Sequence, residues 1–277
     1  MKFKKQELVF MCDDRYNRQS FLGPDAQEKI EECTVGIIGL GGGGSHIAQQ
    51  LAHIGFKKYV LYDPDVPEES NLNRLIGLTV KDVEKKIPKI HIARRLILAL
   101  HPEAKIQAIQ KNWQESPNFL KTCNIIFGCV DGYKGRMELE AFSRRFLIPY
   151  IDIGIDVHHV DGEPPNLSGQ VIASLPGEPC MKCLGFITEQ KLQKETQKYG
   201  AAGHNPQVVW ANGVVASTAV GLATNLLTGW TKAIPEIYLS YEGNLGYMKP
   251  HVFLKYTDKA CCHYPADQVG EAVFLPL

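Results

Sequence analysis

Residues 39–44 read Gly-Leu-Gly-Gly-Gly-Gly and follow directly on the apolar run Thr34-Val35-Gly36-Ile37-Ile38. Gly39, Gly41 and Gly44 keep a G-x-G-x-x-G spacing, with Gly42 inside it. Missing side chains there permit a tight strand-to-helix turn and let backbone N–H groups approach phosphate oxygens. A second apolar run, Tyr59-Val60-Leu61-Tyr62, ends at Asp63. A carboxylate about 20 residues beyond such a loop can accept hydrogen bonds from ribose hydroxyls. The chain is therefore expected to fold around a β-loop-α-β nucleotide unit. The loop alone leaves a dinucleotide redox cofactor and ATP equally open.

Ile47, Leu51 and Ile54 recur at helical spacing and stop at Gly55, and Ile90, Ala93, Ile97 and Leu100 mark a helix over 89–100 that His101-Pro102 ends. Strands are expected at 105–109, 124–130 and 150–154, with a helix containing Met137, Ala141 and Phe142 between the last two. The 124–130 run ends at Asp131-Gly132, as a buried parallel strand with a functional residue at its C-terminal edge would. Strands alternating with helices predict an α/β, doubly wound, Rossmann-like sheet, mostly parallel. Strand-like segments at 170–175, 236–241 and 247–256 predict an antiparallel C-terminal extension.

Composition narrows the partners. Lysine plus arginine and aspartate plus glutamate each number 30, so net charge gives no pull toward nucleic acid or membrane. The N-terminus is basic but lacks the apolar stretch of a secretory signal, and a cytoplasmic location is expected. Residues 208–230 are long enough for a membrane span, yet Asn212, Asn225 and several small polar residues favour a buried core helix. Four of the eight cysteines, Cys180, Cys183, Cys261 and Cys262, are grouped. In a chain that keeps its thiols reduced, such spacing points to a metal or to catalysis. Cys123 and Cys129 lie in or beside an apolar run and read as core residues.

Further motifs surround the loop: Arg15-Tyr16-Asn17-Arg18-Gln19 before it, Asn71-Leu72-Asn73-Arg74 and Ile87-Pro88-Lys89 after Asp63, and Asp131 after the fourth apolar strand. Together and in this order they resemble the ThiF/MoeB family, relatives of ubiquitin-activating enzymes, from about Arg15 to Cys262. The resemblance implies ATP-dependent adenylation of the C-terminal glycine of a ubiquitin-like or sulfur-carrier protein, with release of pyrophosphate. It implies that Asp63 meets the ribose, that Asn71, Arg74 and Lys89 meet phosphates, that Asp131 holds Mg2+, and that Arg18 reaches the site of the other subunit of a homodimer. Lys85 and Lys86 compete for the lysine role, but Lys89 follows the proline and opens the helix. The chemistry agrees, because a carboxylate attacking an anionic triphosphate needs positive charge beside the leaving pyrophosphate. Hydride transfer has no use for such a cationic site, which sets an NAD-dependent oxidoreductase behind.

Cys180-Met181-Lys182-Cys183 matches the family's first zinc knuckle, whose second Cys-x-x-Cys is here Cys261-Cys262-His263. Structural zinc takes four N or S ligands. Completion by Cys261 with Cys262 is preferred to completion through His263. The chain is thus expected to be one domain: an N-terminal helical arm (1–30), a nucleotide-binding half (31–155) and a zinc-bearing, partner-binding half (156–277).

Many family members carry a thioester-forming cysteine in the crossover that precedes the 208–230 helix. Its position here falls near Ala201-Ala202-Gly203-His204, and no cysteine occurs from Leu184 to Ala260. Adenylation without a thioester on this segment is expected. Lys191, Lys194, Lys198 and His204 read as a solvated crossover, and His158-His159 as a surface turn. A degenerate scaffold that binds a ubiquitin-like protein without activating it is the alternative.

Overall fold

The computed structural model describes residues 14–159, 162–198, 206–233, 235–257, 261–265 and 269–270. Cys12 and residues 201–204, including His204, lie outside these. A 3-10 helix, Asp14–Leu22, and α1 (Ala26–Glu32) form the described part of the N-terminal arm. The chain then runs β1 (Thr34–Ile38), α2 (Gly42–Ile54), β2 (Lys58–Tyr62), α3 (Val80–Glu84), α4 (Lys89–Leu100), β3 (Lys105–Ile109), β4 (Ile125–Gly128) and α5 (Tyr133–Arg145). β5 (Tyr150–His158), β6 (Asn166–Ser174), α6 (Glu189–Lys198), α7 (Val209–Thr228), β7 (Tyr238–Glu242) and β8 (Tyr247–Pro250) follow.

The strands form one sheet in the order β3-β2-β1-β4-β5-β6-β7-β8. Pairing is parallel from β3 to β5 and antiparallel from β5 to β8. The strand order reverses between β1 and β4, and ligands of such sheets bind outside the carboxyl ends of the strands at that switch point. The doubly wound sheet and its antiparallel extension are as expected.

Side chains alternate across the sheet. Val35, Ile37, Ile125, Phe127, Ile151 and Ile153 join a core with α1, α2, α4 and α7. Ile38, Ile126 and Tyr150 face a second core that includes Leu139 of α5, Met181 and Leu184. α7 buries Ala211, Val215, Ala216, Ala219 and Val220, and its small residues let it pack closely on α2. Among the described residues no helix is long and apolar enough to cross a membrane.

Three segments differ from expectation. The last strand ends at Pro250, and a 3-10 helix, Val252–Lys255, replaces its continuation; the His251 N–H still reaches the Tyr238 carbonyl at 2.9 Å, and its ring caps the helix by accepting the Phe253 N–H at 3.2 Å. β5 extends to His158, which pairs with Asn166 of β6 and sits 3.2 Å from Asp156 on an exposed hairpin. The crossover contains α6, whose polar sequence carries little apolar periodicity. Lys191 on it is half-buried and donates to the Phe186 carbonyl at 2.7 Å, so this lysine is not on a solvated loop.

Candidate functional site

The turn between β1 and α2 is built from backbone contacts that no side chain could enter. Gly39 has φ +87°, and a Cβ there would stand 2.5 Å from the Cys129 carbonyl oxygen; one on Gly44 would stand 1.9 Å from the Gly39 carbonyl oxygen. Glycine is the residue that tolerates both demands. Asp63 locks the turn from the side. Its Oδ2 accepts from the Leu40 N–H at 2.6 Å and its Oδ1 from the Asp65 N–H at 2.9 Å. Burial pushes the Asp63 carboxyl up, and Lys89 with the two backbone donors offsets part of that.

A cleft of about 310 Å3 opens over this turn, lined by Gly39, Gly41, Gly42, Asp63, Asn71, Arg74, Lys89 and Asp131. Eight of the ten residues expected at a nucleotide site thus share one wall. Gly44, in the first turn of α2, and Arg18, exposed on the 3-10 helix, are outside this lining. Lys85 and Lys86 are exposed and also outside it.

Each polar residue of the cleft has a local reason for its place. Asn71 Oδ1 accepts from the Glu68 N–H at 3.1 Å, closing a capping box. Arg74 donates to Ser70 O at 2.5 Å and to Asn73 Oδ1 at 3.0 Å. Lys89 pairs with Asp65 Oδ2 at 2.9 Å with only 12 % of its side chain exposed. The segment between them is held by Asp82, which takes both Arg95 amino groups at 2.7 Å and caps α3 through Thr79. That bidentate pair holds the Asp82 carboxyl far below the ordinary range.

Arg136, Asn112, Gln207 and Asn212 also line the cleft, and sequence reading singled out none of them as site residues. Arg136 is buried on α5, where it pairs with Asp152 of β5 and donates to the Ile153 carbonyl at 3.0 Å. Tyr150 donates to the other Asp152 oxygen at 2.8 Å. Burial works against the Arg136 charge, but Asp152 together with Tyr150 and Asp131 more than offsets this and holds the guanidinium protonated. The signal was present: an aspartate within the apolar run Tyr150-Ile151-Asp152-Ile153 demands a buried partner.

The second cluster is a donor set. Ligand atoms of Cys180, Cys183, Cys261 and His263 all lie within 4.8 Å of one another. His263 Nδ1 stands 3.4 Å from Cys180 Sγ and 3.2 Å from Cys183 Sγ, and the Cys183–Cys261 sulfurs are 3.8 Å apart. A tetrahedron with bonds of about 2.0–2.3 Å has edges of about 3.3–3.8 Å, close to these three separations, so the group could hold zinc. Among the described residues the atoms that gather are thus those of Cys180, Cys183, Cys261 and His263, whereas the Cys262 sulfur, 3.6 Å from His263 Nδ1, stands outside that set. The Cys262 side chain is exposed, while its backbone N–H serves the Cys183 sulfur. Burial alone would raise the Cys183 thiol; backbone donors from Cys180 and Cys262 and the His263 ring outweigh it, lowering the thiol to about 6.

α5 joins the two sites. Beyond Arg136 it carries Glu140, whose Oε1 accepts from Ser174 Oγ at 2.6 Å and from the Met181 N–H at 2.9 Å. Arg144 donates to the Glu178 and Pro179 carbonyls at 2.9 and 3.1 Å and lies over the Tyr264 ring. One helix therefore holds the cleft arginine at one end and the backbone of the cysteine knuckle at the other.

The sequence model of the family described as the ThiF family matches residues 14–261. The chain is 27% identical over 232 residues to the sulfur carrier protein ThiS adenylyltransferase of Escherichia coli, covering 81% of this chain and 85% of that protein. It is 28% identical over 195 residues to the sulfur carrier protein adenylyltransferase of Thermus thermophilus, 66% of each. Against ubiquitin-like modifier-activating enzyme 5 of Bombyx mori it is 25% identical over 181 residues, and it spans only 45% of that relative's length. Among solved structures, E. coli MccB with ATP shares the fold at a TM-score of 0.69 and 19% identity, over 87% of this chain and 71% of that one.

The buried pair at the cleft makes a prediction. Arg136→Met leaves Asp152 buried without its cation and is expected to lower stability by about 3–5 kcal/mol in urea unfolding, while adding Asp152→Asn recovers most of the loss. Equal midpoints for the single and double variants would show that the two charges do not depend on each other.

Proposed function

The chain belongs to the ThiF family, and on that premise we propose that it is an ATP-dependent adenylyltransferase acting on the C-terminal carboxylate of a ubiquitin-like or sulfur-carrier protein, or of a peptide. The observation that carries the reading is the convergence of Asp63, Asn71, Arg74, Lys89 and Asp131 on one cleft over the glycine turn. Two of the relatives are named for sulfur carrier proteins, and MccB has been solved with MccA; these are the substrate classes carried over to this chain.

In this reading the phosphates lie on the N-terminal turn of α2, where unpaired backbone N–H groups and the helix dipole favour an anion. Asp63 has lone pairs left for ribose hydroxyls beyond those that hold the turn. Arg74 and Lys89 offset repulsion between the incoming carboxylate and the triphosphate, and stabilise charge on the departing pyrophosphate. Asp131, exposed at the mouth of the cleft, is the carboxylate that would hold a magnesium ion, which supplies further charge neutralisation when bound. The carboxylate oxygen of the donor attacks the α-phosphorus, the bond to the pyrophosphate oxygen breaks, and an acyl adenylate forms. No cysteine lies between Leu184 and Ala260, so the acyl group passes from the adenylate to an external acceptor and not to a thiol of the crossover. Cys180, Cys183, Cys261 and His263 would hold a structural zinc that ties the knuckle to the C-terminal segment.

The enzyme is proposed to act as a homodimer, with Arg18 completing the partner's cleft. Its exposed place on the arm, away from its own cleft, supports that role.

Pyrophosphate exchange with carrier proteins ending in Gly-Gly tests the activity. Exchange that depends on the carrier and falls at least about a hundredfold in Asp131→Ala is expected; no exchange with any cognate carrier, from protein that binds the carrier, would favour a scaffold. Mixing Arg18→Ala with Asp131→Ala protein is expected to restore part of the activity through hybrid dimers, and failure with subunit exchange verified would place Arg18 in its own site. Metal analysis is expected to find one zinc per chain in the wild type and in Cys262→Ser, and its loss in His263→Ala; the reverse pattern would reinstate Cys262 as the ligand.

A further inference from the structure

Gly132 is the N-cap of α5 and has no side chain to offer the helix. The cap comes from 61 positions away in the sequence: the Glu195 carboxylate of α6 accepts the Lys134 N–H at 3.0 Å. The two residues are matched in shape, since a Cβ on Gly132 would stand only 2.2 Å from Glu195 Oε1. Backbone conformation does not explain this glycine. Its φ of −94° and ψ of 147° are open to any residue, so what the missing side chain provides is room for the carboxylate. An anion at this position also meets the favourable end of the α5 dipole.

A second attachment holds the same helix. Lys191 Nζ donates to the Phe186 carbonyl at 2.7 Å and lies 5.1 Å from the centroids of both Tyr133 and Phe186. Between these anchors, Leu192 joins Glu195 in lining a cavity of about 1150 Å3 whose other walls include Trp113 and Met137. That cavity adjoins the nucleotide cleft, since Gly39, Pro64, Asn112 and Val130 line both. A nucleotide held at Asp63 would have this cavity beside it.

We infer that Glu195 is a positioning residue whose long-range cap on α5 fixes α6 as a wall of the cavity beside the nucleotide cleft. The crossover of this chain then works as part of the nucleotide enclosure and not as an arm that swings to accept an acyl group. The effect on ATP rests on the adenylation reading, whereas the contact between α6 and α5 does not.

The test uses the full-length protein with Glu195→Ala, Glu195→Gln and Gly132→Ala. Alanine at 132 is compatible with the backbone there and displaces only the far end of a flexible side chain. In ligand-free protein, amide hydrogen exchange at Lys134 and across 189–195 is expected to accelerate in Glu195→Ala and Gly132→Ala. It should stay near wild type in Glu195→Gln, whose amide oxygen still accepts the bond. By calorimetry, the ATP dissociation constant is expected to rise about fivefold in the two alanine variants and to recover in the glutamine variant, in keeping with the strength of a helix cap. Unchanged exchange in Glu195→Ala would overturn the contact. Faster exchange with unchanged ATP affinity would overturn the wall. Wild-type protein that fails to bind ATP would overturn the adenylation reading and the wall together, and exchange at Lys134 would still decide the contact.

Discussion

Everything at the cleft depends on how closely backbone approaches backbone at the turn between β1 and α2. The Gly39 carbonyl occupies the space a Gly44 side chain would need, and the Cys129 carbonyl occupies the space a Gly39 side chain would need. These two approaches bring the end of β4 against the start of α2, so Asp131 and the α2 N-terminus face one volume. The Gly39 N–H bonds the Tyr62 carbonyl at 2.9 Å, and the Cys129 N–H bonds the Ile38 carbonyl at 2.8 Å. Three strand ends are thereby fixed to one another through main chain alone. Asp63 extends the same arrangement to β2 through the Leu40 N–H. A residue proposed for ribose is therefore also a structural tie, and its substitution would disturb the loop as well as any ligand.

α5 carries the consequence of that geometry to the other half of the chain. Its first turn begins beside Asp131, its second presents Arg136 to Asp152, and its third and fourth present Glu140 and Arg144 to the cysteine knuckle. Buried ion pairs seldom add net stability compared with a well-packed apolar core, and their better-attested use is to specify one arrangement. Here the pairs specify register. Sliding α5 by one residue along β5 would leave Asp152 and the knuckle backbone groups without partners. The cysteine knuckle is tied to the cleft by polar groups whose alternatives are costly and not by apolar area alone.

Much of this was legible in the sequence because the relevant signals are local. The glycine spacing, the aspartate ending the second apolar run, and the Ile90-Ala93-Ile97-Leu100 stripe each lie within a window of a few turns, and α4 begins and ends where that stripe does. What escaped depends on contacts between distant segments. Arg136 meets Asp152 only because β4 and β5 are neighbours, and Glu195 meets Lys134 across the knuckle. α6 escaped because Leu192 is the one apolar residue among its ten; its anchoring comes from Lys191 and Glu195, charged residues that patterns assign to solvent. The choice between Cys262 and His263 escaped because neighbouring residues differ by a single backbone turn, which spacing does not encode.

That last choice has an electrostatic logic. Four thiolates around a divalent metal leave two net negative charges, whereas three thiolates with a neutral imidazole leave one. The knuckle backs onto Glu140, a carboxyl that burial pushes up, and the Cys180 thiol is raised first by burial and then by the neighbouring Glu140 charge. A fourth thiolate would add repulsion where water cannot screen it. The imidazole avoids that addition, and the Tyr264 ring that follows it covers Arg144, the cation that also reaches toward Glu140 at 3.8 Å. A zinc held by three thiolates and the His263 imidazole would thus share one charge balance with the buried carboxyl on α5, and a change to either should be felt at the other.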